Sequence, residues 1–229
     1  MGAAGALGEK VVRTLSGRGD RVVLFDREAA RSRLEQIAAT LKDTCVVAGE
    51  LTDAATWDEA MPRIERELGA PPALAALIAG AWRGGRPLYE GEDDETWRAM
   101  MNTNLETVHR SLVRLLPPMV ARKHGSVVVV GSRAVEQPWT SAGSTAYAAS
   151  KSAVVALAQT VAAEVLEYGV RLNAILPSTM DTVANRAAMP KADPNRWVSL
   201  ASAAGVVAFL LSDAARDISG AAIPVYGRA

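Results

Sequence analysis

Apolar and polar positions alternate along this chain in two rhythms. Short apolar runs at Arg21–Phe25, Cys45–Ala48, Ala75–Ile78, Ser126–Val130, Val170–Ile175 and Ala222–Val225 have the length and β-branched character of buried strands. Between them lie longer stretches with helical spacing: Glu9–Ser16, Arg27–Leu41, Thr56–Leu68, Asp94–Leu116, Ala146–Tyr168 and Ala201–Ser212. Gly17-Arg18-Gly19, Gly69-Ala70-Pro71-Pro72 and Lys123-His124-Gly125 punctuate the joins. Strand and helix in strict alternation predict an α/β fold, a doubly wound parallel sheet in a Rossmann-like three-layer sandwich. No repeat or low-complexity linker interrupts the pattern, so residues 1–229 are read as one dinucleotide-binding and catalytic domain.

One predicted helix is too apolar for a surface position. Ala149, Ala153, Val154, Val155, Ala156, Leu157, Val161, Ala162, Val165 and Leu166 are spread around most of its circumference. Either it is buried inside the domain, or its outer face meets a symmetry mate. The second reading predicts a homodimer or homotetramer, with Asp94–Leu116 as a second contributor.

Composition narrows the functional classes. With 25 basic and 25 acidic residues and no Lys/Arg cluster, the chain lacks the basic stripe of a nucleic-acid binder. No apolar run approaches the roughly 20 residues of a membrane span, and no signal-peptide pattern opens the chain. The single cysteine, Cys45, suits a reducing compartment. The expected location is the cytoplasm. His109 and His124 lack companions at metal-ligand spacing, so no metal is expected, and the acidic run Glu90–Glu95 reads as a solvated helix start.

Candidate chemistry begins at the first residues. Gly2, Gly5, Leu7 and Gly8 lie in a glycine-rich turn that opens a helix, where backbone can approach a pyrophosphate and the helix terminus offers N–H groups. About twenty residues on, a strand ends in Asp26, the place of an acid that bonds the adenosine ribose. An acid there repels a 2′-phosphate and favours NAD(H); the adjacent Arg27 can pair with that phosphate and keeps NADP(H) open. In a doubly wound sheet such a turn follows the central first strand, yet here Met1 stands where that strand should be ending. The expectation is a start further upstream, or another segment or subunit filling the gap.

A second group lies past the middle. Tyr147 and Lys151 are four apart on one helix, so phenol and ammonium share a face. A nearby ammonium, with an oxidised nicotinamide, draws a tyrosine down from a pKa near 10 toward working pH. Ser132 follows the strand Ser126–Val130, at the end of such a sheet where ligands bind, and its hydroxyl can hold a substrate oxygen. Asn104 sits inside a helical stretch that it suits poorly, and a bonded water at a kink there can link it to Lys151.

Tyr147-Ala-Ala-Ser-Lys151-Ser-Ala-Val, Asn104-Leu105, Val170-Arg-Leu-Asn-Ala-Ile-Leu-Pro177 and Phe209-Leu-Leu-Ser-Asp213 with Ile218-Ser-Gly220 together resemble the short-chain dehydrogenase/reductase family, over essentially the whole chain. The resemblance implies Tyr147 as general acid/base, Lys151 as its partner and a ligand of the nicotinamide ribose, Ser132 as substrate-oxygen donor and Asn104 as relay. It further implies Thr182 at the nicotinamide carboxamide, with Glu50, Leu51, Ala79, Gly80, Pro177 and Thr179 along the cofactor. The sequence departs from the family at Leu77-Ile78-Ala79-Gly80 and Pro177-Ser178, and at Ser132, which lies fifteen residues before Tyr147 and suggests a small insertion in Glu136–Ser144. Ala79–Gly85 and Leu176–Trp197 are similar to the dihydropteridine reductase branch, which reduces quinonoid dihydropterins with NADH.

Trp82, Trp139, Met180 and Trp197 fall in loops beyond strand ends; flat apolar groups there suit a ring substrate, although each also serves as a loop anchor. The sequence therefore predicts an NAD(P)-dependent oxidoreductase acting on a small carbonyl, hydroxyl or quinonoid ring compound. Two alternatives stay open: a cofactor-retaining epimerase, dehydratase or cyclase on the same fold, and a non-catalytic nucleotide-binding subunit.

Overall fold

The computed structural model describes residues 1–91 and 94–228. Among these residues six parallel strands form, β1 (Val22–Asp26), β2 (Thr44–Ala48), β3 (Leu74–Leu77), β4 (Gly125–Val130), β5 (Val170–Pro177) and β6 (Ala222–Val225). The principal helices are α1 (Ala6–Gly17), α2 (Arg31–Ala38), α3 (Ala54–Leu68), α4 (Asp94–Met100), α5 (Thr107–Ala121), α6 (Thr145–Val165), α7 (Val183–Ala188) and α8 (Leu200–Leu210). Every run read as a strand is one. β4 and β5 are buried on both faces, which is why Val127–Val130 and Leu172–Leu176 read as unbroken apolar runs rather than alternating ones.

The layers follow from where those side chains go. On one face, Val128, Val130 and Ile175 pack against Leu7 and Val11 of α1 and Ala203, Val207 and Leu210 of α8. On the other, Val127, Val129, Leu172 and Leu176 meet Leu112 and Leu115 of α5 and Val154, Ala158 and Val161 of α6. The architecture is the α/β, Rossmann-like sandwich that the alternation predicts. The apolar α6 is explained only in part by this packing: Val154, Val155, Ala158, Val161 and Ala162 are buried, while Ser152, Ala156, Thr160 and Ala163 face outward.

The sheet is interrupted where the first strand was expected to be missing. β1 pairs with β2, and β3-β4-β5-β6 form a separate ladder. Among the described residues, the main-chain hydrogen bonds between the two come from the first residues. The Met1 amino group donates to the Ala76 carbonyl (2.9 Å), Ile78 N donates back to the Met1 carbonyl (3.1 Å), and Ala3 N donates to the Phe25 carbonyl (3.3 Å).

Three differences from the expected elements have physical causes. The stretch Asp94–Leu116 is not one α-helix: α4 ends at Met100, Met101–Glu106 form a π-helical turn, and α5 runs on through Pro117 and Pro118 to Ala121. The second predicted helix is shorter, since Glu28–Ala30 take a 3₁₀ turn before α2. α7 was not expected, because none of its residues is buried and it shows no apolar stripe. In the acidic run, Asp94 and Glu95 do open α4; Glu92 and Asp93 lie outside the described residues.

Candidate active site

The carboxyl ends of β1, β3, β4 and β5 open onto one rim, as the parallel sheet requires. β4 delivers Gly131-Ser132, with Gly131 N held by the Ile175 carbonyl at 2.9 Å. Ser132 then caps a 3₁₀ turn, its hydroxyl accepting from Ala134 N at 3.2 Å. Across from it α6 brings Tyr147 in its first turn, and the Ser132 side chain is a hydrogen-bond partner of the Tyr147 phenol. The fifteen-residue separation therefore does not keep the serine from the phenol. Pro138–Ser141 form a 3₁₀ turn in the intervening loop.

Lys151 lies one turn further along α6, 5% exposed, with Nζ donating to the Val130 carbonyl at 2.8 Å. Burial lowers its pKa from 10.5 to about 8. Burial also raises the Tyr147 phenol above its ordinary value, and the Ser132 hydrogen bond, which acts the other way, is the smaller effect. The sequence argument expected the ammonium to pull the phenol down. The structure shows desolvation prevailing for both groups, with the ammonium turned to a β4 carbonyl.

Asn104 sits in the π-helical turn, fully buried. Its Oδ1 accepts from Ala81 N (2.8 Å), and its Nδ2 donates to the Ala81 carbonyl (3.1 Å) and to Ser150 Oγ (2.9 Å). The kink expected at this residue is present. Its side chain is a clamp between the loop after β3 and α6. Gly80 makes the approach possible: a Cβ there would lie 2.9 Å from Asn104 Oδ1 and 3.1 Å from Lys151 Nζ. Ser150 was missed in the sequence; the signal was Asn104 itself, a buried amide that must find partners.

The rim beside β1 holds the nucleotide candidates. Gly2 has φ of +75°, and a Cβ on it would sit 2.6 Å from Ala79 N. A Cβ on Gly8 would sit 1.9 Å from the Gly2 carbonyl oxygen, so α1 enters as close to the turn as backbone allows. Among the described residues no side chain caps the first N–H groups of α1, which leaves them for an anion. Asp26 ends β1 with one carboxylate oxygen accepting from Ala4 N and the other from Arg27 N, both at 2.9 Å, and each oxygen keeps a lone pair for a hydroxyl. Arg27 and Glu50 are exposed. Leu51 is buried, its carbonyl accepting from Trp57 Nε1 at 2.8 Å, and Leu7 packs in the core. These residues fit a dinucleotide: an open helix terminus, a side-chain-free cradle and a ribose-height carboxylate lie in sequence along one edge.

Pro177, at the end of β5, leads into the far wall. Thr179 receives Val198 N on its carbonyl (2.9 Å), Met180 forms a β-bridge with Val198, and Thr182 caps α7 by accepting from Asn185 N (3.1 Å). Trp197 is half-buried in this wall, whereas Trp82 and Trp139 stand 60% and 73% exposed. The Trp82 loop is tied to the loop before α6 by Gly85 N donating to the Gly143 carbonyl (2.8 Å). A clasp not read from the sequence closes the other side. Tyr226 donates its hydroxyl to Glu136 (2.6 Å), the Arg133 guanidinium lies 5.6 Å from its ring, and Ser178 Oγ donates to its carbonyl (2.7 Å). Its partners lie far away along the chain, and no local pattern announces them.

A Rossmann-like sheet with a hydroxyl, a phenol and a buried ammonium at one strand end defines a nucleotide-dependent oxidoreductase, and comparison with known proteins gives the family. The family model described as enoyl-(acyl carrier protein) reductase matches residues 2–227. The chain belongs to the short-chain dehydrogenase/reductase family, whose members bind nicotinamide cofactors, and it is an oxidoreductase. It is 34% identical over 185 residues to 2,3-dihydro-2,3-dihydroxybenzoate dehydrogenase of Bacillus subtilis, covering 79% of this chain and 68% of that protein. It is 28% identical to 2,5-dichloro-2,5-cyclohexadiene-1,4-diol dehydrogenase of Sphingobium indicum, over 99% of this chain and 92% of that one. A solved oxidoreductase of the same family from Burkholderia thailandensis superposes with a TM-score of 0.85 at 30% identity, covering 99% of this chain and 89% of that chain.

Proposed function

We propose that the protein is an NAD(H)-dependent dehydrogenase or reductase acting on a hydroxyl or carbonyl carried by a small ring. The observation that carries this reading is the meeting of Ser132 and Tyr147 hydroxyls one helical turn from the buried Lys151. Two relatives named for ring diols support a ring substrate, as do Trp82, Trp139, Met180 and Trp197 around the rim. The nicotinamide, when bound, supplies the hydride chemistry that no side chain can. In reduction, the Tyr147 hydroxyl gives its proton to the substrate carbonyl oxygen while Ser132 Oγ donates a hydrogen bond to that oxygen. In oxidation, the Tyr147 oxygen takes the substrate hydroxyl proton. Lys151 bonds the nicotinamide ribose and stabilises the phenolate, and the π-helical turn at Asn104 offers a loosened carbonyl for a proton-relaying water.

Gly2, Gly5 and Gly8 receive the pyrophosphate, Asp26 the adenosine ribose, and Gly80, Pro177, Thr179 and Thr182 line the nicotinamide. Asp26 favours NADH; Arg27, exposed beside it, suits a 2′-phosphate. We also propose a cytoplasmic homodimer or homotetramer.

The test is a fluorescence titration with NADH and NADPH, then turnover on ring diols, ring ketones and quinonoid dihydropterins. Tyr147→Phe is expected to bind NADH unchanged and to lose about 10²–10⁴ in kcat. Undiminished turnover in that variant would overturn the reading. Product formation without net NADH consumption would move the protein to the epimerase, dehydratase or cyclase alternative.

A further inference from the structure

The 3₁₀ turn Arg133–Val135 begins at Ser132, whose own hydroxyl caps it by accepting from Ala134 N. The angle of this turn and the direction of the Ser132 hydroxyl are therefore set together. Gly131 fixes the turn where it leaves β4, and Ala134 and Val135 seat its inner side on the core. Its polar side chains are gathered by one residue from the other end of the chain. Glu136 accepts the Tyr226 hydroxyl, and the Arg133 guanidinium lies over the Tyr226 ring while its Nε donates to Gln137 Oε1 (2.8 Å). The main chain beside that ring serves the far wall, residues 178–198. Ser178, the first of them, donates its N to the Val225 carbonyl (3.1 Å) and its Oγ to the Tyr226 carbonyl (2.7 Å). Near the wall's other end, the Arg196 carbonyl accepts from Arg228 N (3.0 Å), and the Arg196 guanidinium donates to the Arg228 carbonyl (3.3 Å). The serine's turn and both ends of the wall thus converge on residues 226–228.

We propose that Tyr226 is a positioning residue: through Glu136 and Arg133 it sets the angle at which Ser132 presents its hydroxyl to the substrate oxygen, in register with the wall. This role rests on the proposed function, in which Ser132 donates to that oxygen. A phenol on a carboxylate is a charge-assisted bond, stronger than a neutral one. Burial, with Glu136 beside it, pushes the Tyr226 phenol up to about 12, so it remains a donor at working pH. Its hydroxyl is committed to Glu136, and Tyr226 therefore acts by holding other groups. Small displacements matter at such a place, since about 1 Å of misplacement can cost roughly 100-fold in rate.

The test is Tyr226→Phe, which keeps the ring and the main chain and deletes one hydroxyl. With the best substrate of the ring panel, kcat is expected to fall about 10-fold while NADH affinity stays unchanged. Amide hydrogen exchange at residues 134–137 reads the turn without any substrate, and it should quicken in this variant while exchange along α6 does not. Glu136→Ala should reproduce both effects, and Glu136→Gln, which keeps an acceptor for the phenol, should recover most of the lost turnover. In a Ser132→Ala background Tyr226→Phe should cost nothing further, because it acts through that serine. An equal fall in both backgrounds, or unchanged exchange at residues 134–137, overturns the proposal. NADH affinity falling in step with kcat also overturns it, and makes Tyr226 a general support of the fold. Undiminished turnover in Ser132→Ala alone is the separate failure of the reading beneath it, and removes both.

Discussion

At the scale of single residues, the site is governed by desolvation. Lys151 has a folded-state pKa of about 8 against 10.5 in the free side chain, so it holds its proton less well folded than unfolded. Between those values the unfolded chain binds more protons, and stability rises with pH across that window. The gain is about 3 kcal/mol, from a shift of that size at roughly 1.4 kcal/mol per unit. Lys151→Met, measured by denaturant unfolding from pH 7 to 10.5, should abolish that rise, be the more stable protein at pH 7 and lose turnover. Asp26 carries a different burden, since its carboxylate shapes the glycine turn through Ala4 N and, on the proposed function, also binds the adenosine ribose. Losing a charged hydrogen bond costs about 1.5–3 kcal/mol, so Asp26→Ala should weaken NADH binding roughly 10–100-fold while NADPH binding falls less. Cofactor titration checks it; equal losses for both would assign Asp26 to the turn alone.

At the scale of elements, the π-helical turn is the device that brings the loop after β3 to α6. Asn104→Ala removes three polar contacts at once and leaves Ser150 and Ala81 short of partners. A loss of about 1–3 kcal/mol in unfolding free energy is expected, with a larger fall in kcat than in NADH affinity, because the proton pair rather than the nucleotide edge loses its support. The legibility of these elements varies for reasons of burial. β4 and β5 were plain because their valines and leucines meet apolar neighbours on both faces, and Tyr147 and Lys151 because one helical face holds both. The π-helical turn was legible only through Asn104; the backbone excess it contains leaves no mark on apolar spacing. α7 left none at all, having no buried residue. Ser132 looked displaced because chain separation is a poor guide across an irregular loop. The Tyr226–Glu136 bond, between residues ninety apart in sequence, is tertiary information that no window contains.

At the scale of the whole molecule, the outer surface keeps large apolar groups exposed at Trp97, Val113, Leu166 and Phe209, on α4, α5, the end of α6 and α8. Singly such residues are ordinary, but together with the small outward residues of α6 they support self-association. Sedimentation velocity at micromolar protein should give a dimer or tetramer, and a monomer at all concentrations would return α6 to the plain reading of a core helix. α6 is also long and apolar enough to pass for a membrane span on composition, yet it packs on β4, β5 and the π-helical turn and carries the proton-handling pair. The clasp at Tyr226 has a consequence for how such a chain changes over time. Ser132, Tyr147 and Lys151 hang from β4 and α6, fixed by the core. The opposite wall, residues 178–198, reaches the core through Met180 and Val198 and is otherwise fastened to itself and to Tyr226–Arg228, through bonds such as Arg228 N to the Arg196 carbonyl. On the proposed function, reaction and choice of ring fall to separate parts of the chain, so the wall could drift through many sequences, admitting new compounds, while the proton chemistry is inherited intact.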